Sequence, residues 1–230
     1  MGNTKGAAGS APVFYVPTEC VPTETIGPFT LYRPPSQFPL GADSVRLARW
    51  AAPKAGERVC DLGCGTGALI LLLLARQPNL TADGVENDPE ACAWARAGVS
   101  RSGLADRVRI CEGDWAEIRR LLPAGGHTLA VCNPPYHILG HGRPARTHTA
   151  ARAAEADTPA AVCAAGAWVL QNGGRLALCC PAGRLPDWMT AARAACLEPK
   201  RLHLVGRPVR LALLEARKQA GPGLEITMED

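Results

Sequence analysis

Apolar and polar positions along the chain fall into short apolar runs separated by stretches with a helical period. Arg58-Val59-Cys60-Asp61-Leu62 reads as a strand, and Gly67 to Gln77 as an apolar helix. Thr81 to Glu86 is a second strand, after which Asp88 opens an amphipathic helix from Pro89 to Ser102. Val108 to Cys111 is a third strand, followed by a helix at Trp115 to Leu122, and Thr128 to Cys132 is a fourth. A loop to about Thr149 leads into a long Ala-rich helix ending at Leu170. Gly173-Gly174 then turns into a strand from Arg175 to Cys180. A helix at Leu185 to Cys196 and two strands, Arg201 to Val205 and Val209 to Ala216, complete the pattern.

Strands alternating with helices predict right-handed βαβ crossovers, hence an α/β fold with a mostly parallel sheet covered on both faces. Seven strands are expected, the last two forming a C-terminal antiparallel hairpin at the sheet edge because only Gly206 to Pro208 join them. Upstream, Asp43 is expected to cap a helix through Trp50. Residues 26–40 carry Phe29, Tyr32 and Phe38 between prolines, which suits an extended segment packed on another element. The first 25 residues are rich in Gly, Ala, Pro, Ser and Thr without a period, the pattern of a mobile leader. The expected organisation is a leader at 1–25, a cap segment and helix at 26–56, an α/β domain at 57–218 and a tail at 219–230.

Composition narrows the class of protein. With 230 residues, 47% hydrophobic and 20% charged, the chain is an ordinary globular domain. Its longest uninterrupted apolar run, Ala68 to Ala75, is 8 residues, whereas a membrane span needs about 20. No charged segment followed by an apolar stretch marks a secretory signal. Met1-Gly2 resembles a myristoylation start, but Gly6 stands where Ser or Thr is wanted. Ten cysteines include no CxxC pair, and Cys60, Cys132 and Cys179-Cys180 sit in apolar stretches, where thiols act as small hydrophobes. That spacing argues against zinc and disulfides and for the reducing cytoplasm. The net charge of +4 is mild. From Arg193 to Lys218, however, seven basic residues (Arg193, Lys200, Arg201, Arg207, Arg210, Arg217, Lys218) face Glu198 and Glu215. Such a stretch either follows phosphates or is a solvated face.

Two stretches carry chemistry. Asp61-Leu62-Gly63-Cys64-Gly65-Thr66-Gly67 follows a strand and opens a helix, where glycines let a backbone approach a ligand. Taken alone, Gly63-x-Gly65-x-x-Ala68 also fits a dinucleotide fingerprint. Glu86 ends the second strand, where a carboxylate can accept both ribose hydroxyls, and Asp114 is expected to end the third in the corresponding place, suited to an adenine amino group. Together with Asp61, these carboxylates around one glycine turn suit a nucleoside that bears an ammonium group. The second stretch, Asn133-Pro134-Pro135-Tyr136, directly follows the fourth strand. The diproline stiffens the loop. The Asn133 side-chain oxygen and the Pro134 carbonyl can then accept from one NH2 group, pulling a planar nitrogen toward tetrahedral geometry. Tyr136 offers a π face to a flat acceptor, as flipped bases require.

On these residues the chain resembles the Rossmann-like, class I, S-adenosylmethionine-dependent methyltransferases of the Asn-Pro-Pro-Tyr type. Within that type it is most similar to the tRNA(Val) adenine-N6 methyltransferase family. The resemblance runs from about Phe38-Pro39-Leu40-Gly41-Ala42-Asp43 to Lys218 and includes Gly84-Val85-Glu86 and Gly173-Gly174-Arg175. It departs at His137, where the family usually carries Phe, and at Ala153-Ala154, where a His-Glu pair is expected. The resemblance implies S-adenosylmethionine as cofactor, bound by Asp61, Gly63, Gly65, Gly67, Glu86, Asn87, Asp114, Trp115 and Asn133. It implies Asn133, Pro134 and Tyr136 as the catalytic group, with Tyr136 also a substrate contact; His137 in the loop after the diproline, and Arg207 and Arg210 of the basic stretch, are expected substrate contacts on the chain's own pattern.

The implied activity is methyl transfer to an exocyclic amino nitrogen, foremost N6 of adenine in tRNA. A protein glutamine N5-methyltransferase uses the same tetrapeptide but carries a sizeable helical domain ahead of the core, and only 60 residues precede Asp61. DNA adenine methylation and a non-catalytic binding module are the further alternatives. His137, His141 and His148 lie after the diproline without carboxylate or Cys ligands at suitable spacing, so substrate or solvent contacts are expected rather than metal. A cytoplasmic monomer, free of membrane and metal, is the expected form.

Overall fold

A computed structural model describes residues 23–34, 39–134 and 148–229, with main chain only at residues 148–157. Eight strands form one sheet in which β3 (Arg58–Leu62), β4 (Thr81–Glu86), β5 (Val108–Glu112), β6 (His127–Cys132) and β7 (Leu170–Pro181) run parallel. Between them lie α2 (Ala68–Arg76), α3 (Pro89–Arg101), the one-turn α4 (Ile118–Leu121) and α5 (His148–Val169). After β7 come α6 (Leu185–Ala194), β8 (Leu197–Val205), β9 (Leu211–Lys218) and β10 (Glu225–Glu229). The spatial order is β10-β8-β9-β7-β6-β3-β4-β5. The chain order reverses at β3, and there a crevice opens at the strands' carboxyl ends.

Burial on both faces explains why these strands read as continuous apolar runs. Along β6 the alternation assigns side chains to two cores. Leu129 and Val131 join Val59, Ile70, Leu73 and Leu74 in one, while Ala130 and Cys132 join Leu62, Val162, Leu176 and Trp188 in the other. Every described cysteine is a free thiol. Among the described residues no helix is long and apolar enough to cross a membrane.

The expected elements are present, with four differences. Residues 23–34 are more than an extended segment: β1 (Thr23–Ile26) and β2 (Phe29–Tyr32) form a separate hairpin, with three of the four residues of β1, Thr23 to Thr25, inside the stretch expected to be leader. Its buried Ile26, Phe29 and Leu31 join the first core, and the Tyr32 hydroxyl accepts from Arg101 Nε at 2.8 Å. Residues 1–22, the rest of that leader, lie outside the described residues. Asp43 is not a cap: α1 (Ala42–Ala51) begins after Gly41, without a side-chain cap bond, and Asp43 sits in its first turn. The carboxylate still favours the helix N-terminus electrostatically.

The hairpin of β8 and β9 is not simply at the edge, because β9 inserts antiparallel between β7 and β8. The α6 crossover carries β8 past the position next to β7, and β9 fills the gap. The sheet also has eight strands rather than seven, since β10, in the expected tail, pairs parallel to β8. Its side chains are all exposed, so no buried alternation announced it.

Candidate active site

The glycine turn links the end of β3 to α2. Gly63 and Cys64 amides donate to Val85 O at 2.8 and 3.0 Å, which ties the turn to the end of β4. Gly63 has φ +79°, and a Cβ there would stand 2.7 Å from Trp115 Cζ3. A side chain at this position would drive the indole away, so the turn requires glycine.

Glu86 does more than project toward a ligand. Oε2 accepts from the Gly65 amide at 2.8 Å, and Oε1 accepts from the Asn87 and Asp88 amides at 2.9 Å each. One carboxylate thus ties the glycine turn to the start of α3, whose N-cap Asp88 accepts from Glu90 N at 2.9 Å. A carboxylate has about four acceptor sites, so capacity for a ribose hydroxyl remains. Asp114 Oδ1 accepts from Ala116 N at 2.8 Å, capping the 3-10 turn of Trp115–Glu117. Its Oδ2 lies 3.5 Å from Asn87 Nδ2.

Asp61 sits two residues before Gly63, 1% exposed, and its Oδ2 has no hydrogen-bond partner. Burial, and then the negative charge of Glu86, push its carboxyl from an ordinary 3.8 up to about 8. An uncompensated buried acid prefers its neutral form until a cation arrives.

Gly63, Glu86, Asn87, Asp114, Trp115 and Asn133 line one cavity of about 400 Å³ at the carboxyl ends of the strands. Six of the expected site residues therefore converge. Asp61, Gly65 and Gly67 support this wall from the turn and its approach without lining it. Asn133 follows β6, and Pro134 beside it is buried. Tyr136, His137 and His141 lie outside the described residues, as does Pro135. Two neighbours of Asn133 gave no periodic or motif signal. Ser44 Oγ accepts from Asn133 Nδ2 at 2.9 Å, and the Cys179 thiol donates to Asn133 Oδ1 at 2.9 Å.

The basic stretch does not form one surface. Arg193 pairs with Glu198 at 3.2 Å, while Lys200 and Lys218 donate to backbone carbonyls. Arg201 pairs with Glu215 at 3.2 Å and stacks 4.7 Å over Trp50. Arg207 and Arg210 are exposed in the loop after β8, on the side of the sheet where the cavity opens.

S-adenosylmethionine fits this site on the chain's own evidence. The orphaned oxygen of buried Asp61 calls for a cation such as the ammonium, and Glu86 and Asp114 retain acceptor capacity for a nucleoside. The family model "Methyltransferase small domain" matches residues 44–181, from α1 through β7. The tRNA1(Val) (adenine(37)-N6)-methyltransferase of Porphyromonas gingivalis is 32% identical over 194 residues, covering 76% of each chain. Its namesake from Parabacteroides distasonis is 28% identical over 75% of this chain and 72% of its own. Among solved structures, a predicted O-methyltransferase from Agrobacterium tumefaciens superposes with a TM-score of 0.64 at 18% identity, covering 81% of this chain and 85% of that one. TrmN from Thermus thermophilus gives 0.55 at 21% identity, covering 76% of this chain and 48% of that one. At such identities the solved structures speak for the fold. Family model and relatives agree, and the chain belongs to the methyltransferase small domain family of S-adenosylmethionine-dependent enzymes, on the branch of the tRNA1(Val) (adenine(37)-N6)-methyltransferases.

Proposed function

We propose that this protein methylates N6 of an adenine in tRNA, working as a cytoplasmic monomer without a metal, with residues 57–218 as the methyl-transfer unit. The observation that carries the reading is Asn133 on the wall of the cavity shared by Glu86, Asp114 and Trp115. The names of the relatives support tRNA as the acceptor class.

When bound, the cofactor supplies an electrophilic methyl group on sulfur. Asp61 takes the ammonium, Glu86 the ribose and Asp114 the adenine amine, while Gly63, Gly65, Gly67, Asn87 and Trp115 shape the pocket. The Asn133 side-chain oxygen and the Pro134 carbonyl both accept from the target amine. Those two bonds take the nitrogen out of conjugation and direct its lone pair along the line of attack. Catalysis is then positioning and preorganised electrostatics. Tyr136 stacks on the extruded base, and His137, Arg207 and Arg210 hold the surrounding nucleotides.

The test is transfer of labelled methyl to bulk tRNA, duplex DNA and a protein extract in parallel, followed by nucleoside analysis. Label in N6-methyladenosine from tRNA is the expected result. Label in DNA or in glutamine of a protein overturns the substrate, and none in any acceptor overturns the catalytic reading.

A further inference from the structure

We propose that the groove between α1 and the β8–β10 edge of the sheet carries the phosphate backbone of the RNA strand that flanks the target adenine, and that a phosphate displaces Glu229 from Arg46 when the strand docks. Ala42, Val45, Arg46, Arg49 and Trp50 recur at helical spacing and form one outward stripe of α1, opposite the buried Leu47, Ala48 and Ala51. Between this stripe and β8 lies a groove of about 790 Å³, against about 400 Å³ for the catalytic cavity. Ser44, in the same first turn as Ala42, lies 2.9 Å from Asn133 Nδ2. The groove therefore starts within one helical turn of Asn133 and follows α1, whose ten residues span about 15 Å. The backbone of an RNA strand whose adenine reaches Asn133 can leave the site along it.

The lining suits a nucleic acid. Arg49 is exposed and forms no ion pair among the described residues. Arg201 stacks over the Trp50 ring at 4.7 Å, and its side chain stays 39% exposed although Nη1 pairs with Glu215. Guanidinium groups set among an aromatic ring and the exposed Val45 offer charge to phosphates and apolar surface to bases and sugars. The mouth of the groove already holds an anion. Glu229 Oε1 lies 3.2 Å from Arg46 Nε, and Oε2 lies 3.6 Å from His203 Nε2. Two basic side chains from different elements thus converge on one carboxylate, the only acid on the groove among the described residues. The Arg46 and Glu229 side chains are 44% and 48% exposed, and an ion pair so open to water is weak. A guanidinium binds phosphate through two parallel hydrogen bonds, so a docked strand takes Arg46 and leaves Glu229 to solvent.

This docking rests on tRNA as the acceptor, and the test separates the two. Binding of bulk tRNA is measured across a salt series for the native chain and for variants whose cofactor affinity, by calorimetry, proves them folded. Arg46→Gln and Arg49→Gln should each flatten the log–log slope by about 0.7–0.9. Arg49→Lys, which keeps the charge, should retain the native slope. Glu229→Gln should tighten binding about two- to fivefold, the scale of one exposed ion pair. Asp106→Asn, which removes an exposed acid just before β5 at the opposite edge of the sheet, should leave binding alone. Native slopes in both glutamine variants, with tRNA still bound and methylated, overturn the groove while tRNA stands as the acceptor. Equal tightening by Glu229→Gln and Asp106→Asn overturns the displacement, because net charge alone then accounts for it. If the native chain binds no tRNA and labelled methyl goes to a protein, the acceptor reading fails and the groove fails with it.

Discussion

Asp61 is where one residue most affects solution behaviour. Its folded carboxyl is raised to about 8, against 3.8 in an unfolded chain. Between those values the folded state holds a proton that the unfolded state has released, so stability falls as pH rises through the window. Binding a cation at Asp61 reverses the preference and expels the proton. Calorimetry at pH 7 in buffers of different ionisation enthalpy should therefore record release of up to one proton per cofactor bound. Affinity should strengthen with pH and level off near 8. Asp61→Asn should remove the proton release, weaken cofactor binding and flatten the decline in melting temperature above pH 5. A proton count of zero in the native chain would remove Asp61 from the ammonium site.

Among elements, the junction of α1, β7 and β9 rests on Arg175. Its guanidinium pairs with Glu57 at 2.8 Å and Glu215 at 3.1 Å, and donates to the carbonyl of Ala51 at 2.5 Å. Arg175 and Glu215 side chains are 8% and 4% exposed. Arg175→Met leaves Glu215 buried with only the half-exposed Arg201 beside it, and should cost about 3 kcal/mol in urea unfolding, the lower end of the scale for breaking a buried pair. A loss under about 1 kcal/mol would mean Arg201 compensates. Elements with strong local signals were legible in the sequence. Strands β3 and β4 match their expected spans, and α3 follows the Asp88 cap, because continuous apolar runs and a cap are local signals. The hairpin β1–β2, strand β10 and the insertion of β9 were not legible, since each depends on which distant strand offers a partner. The same division holds in the site: Gly63, Glu86, Asp114 and Asn133 stand out as motif residues at strand ends. Ser44 and Cys179 become visible only when α1 and β7 are laid beside β6.

For the molecule as a whole, charge distribution matters more than net charge. Arg193, Lys200, Arg201 and Lys218 are engaged by Glu198, Glu215 or backbone carbonyls, while Arg207, Arg210 and Arg217 are exposed, the first two at the end of the sheet where the candidate cavity opens. If tRNA docks there, log affinity should fall with log salt by about 0.7–0.9 per phosphate contacted. Replacing both arginines with Gln should flatten the slope by about one to two units and leave cofactor affinity alone. Identical slopes would place the RNA elsewhere.

Strand β10 bears on colloidal behaviour. It covers the outer side of β8, and its Glu229 pairs with Arg46 at 3.2 Å. Short and acidic, it presents a poor template to another chain, whereas without it the five residues it pairs with, Arg201–Val205, would add their unsatisfied amides and carbonyls to the open edge of β8. A chain ending at Gly221 should keep its cofactor site, which lies across the sheet, yet sediment as concentration-dependent oligomers. In that sense the last strand serves as a stopper against sheet-to-sheet growth, and its loss would appear first as turbidity rather than as lost activity.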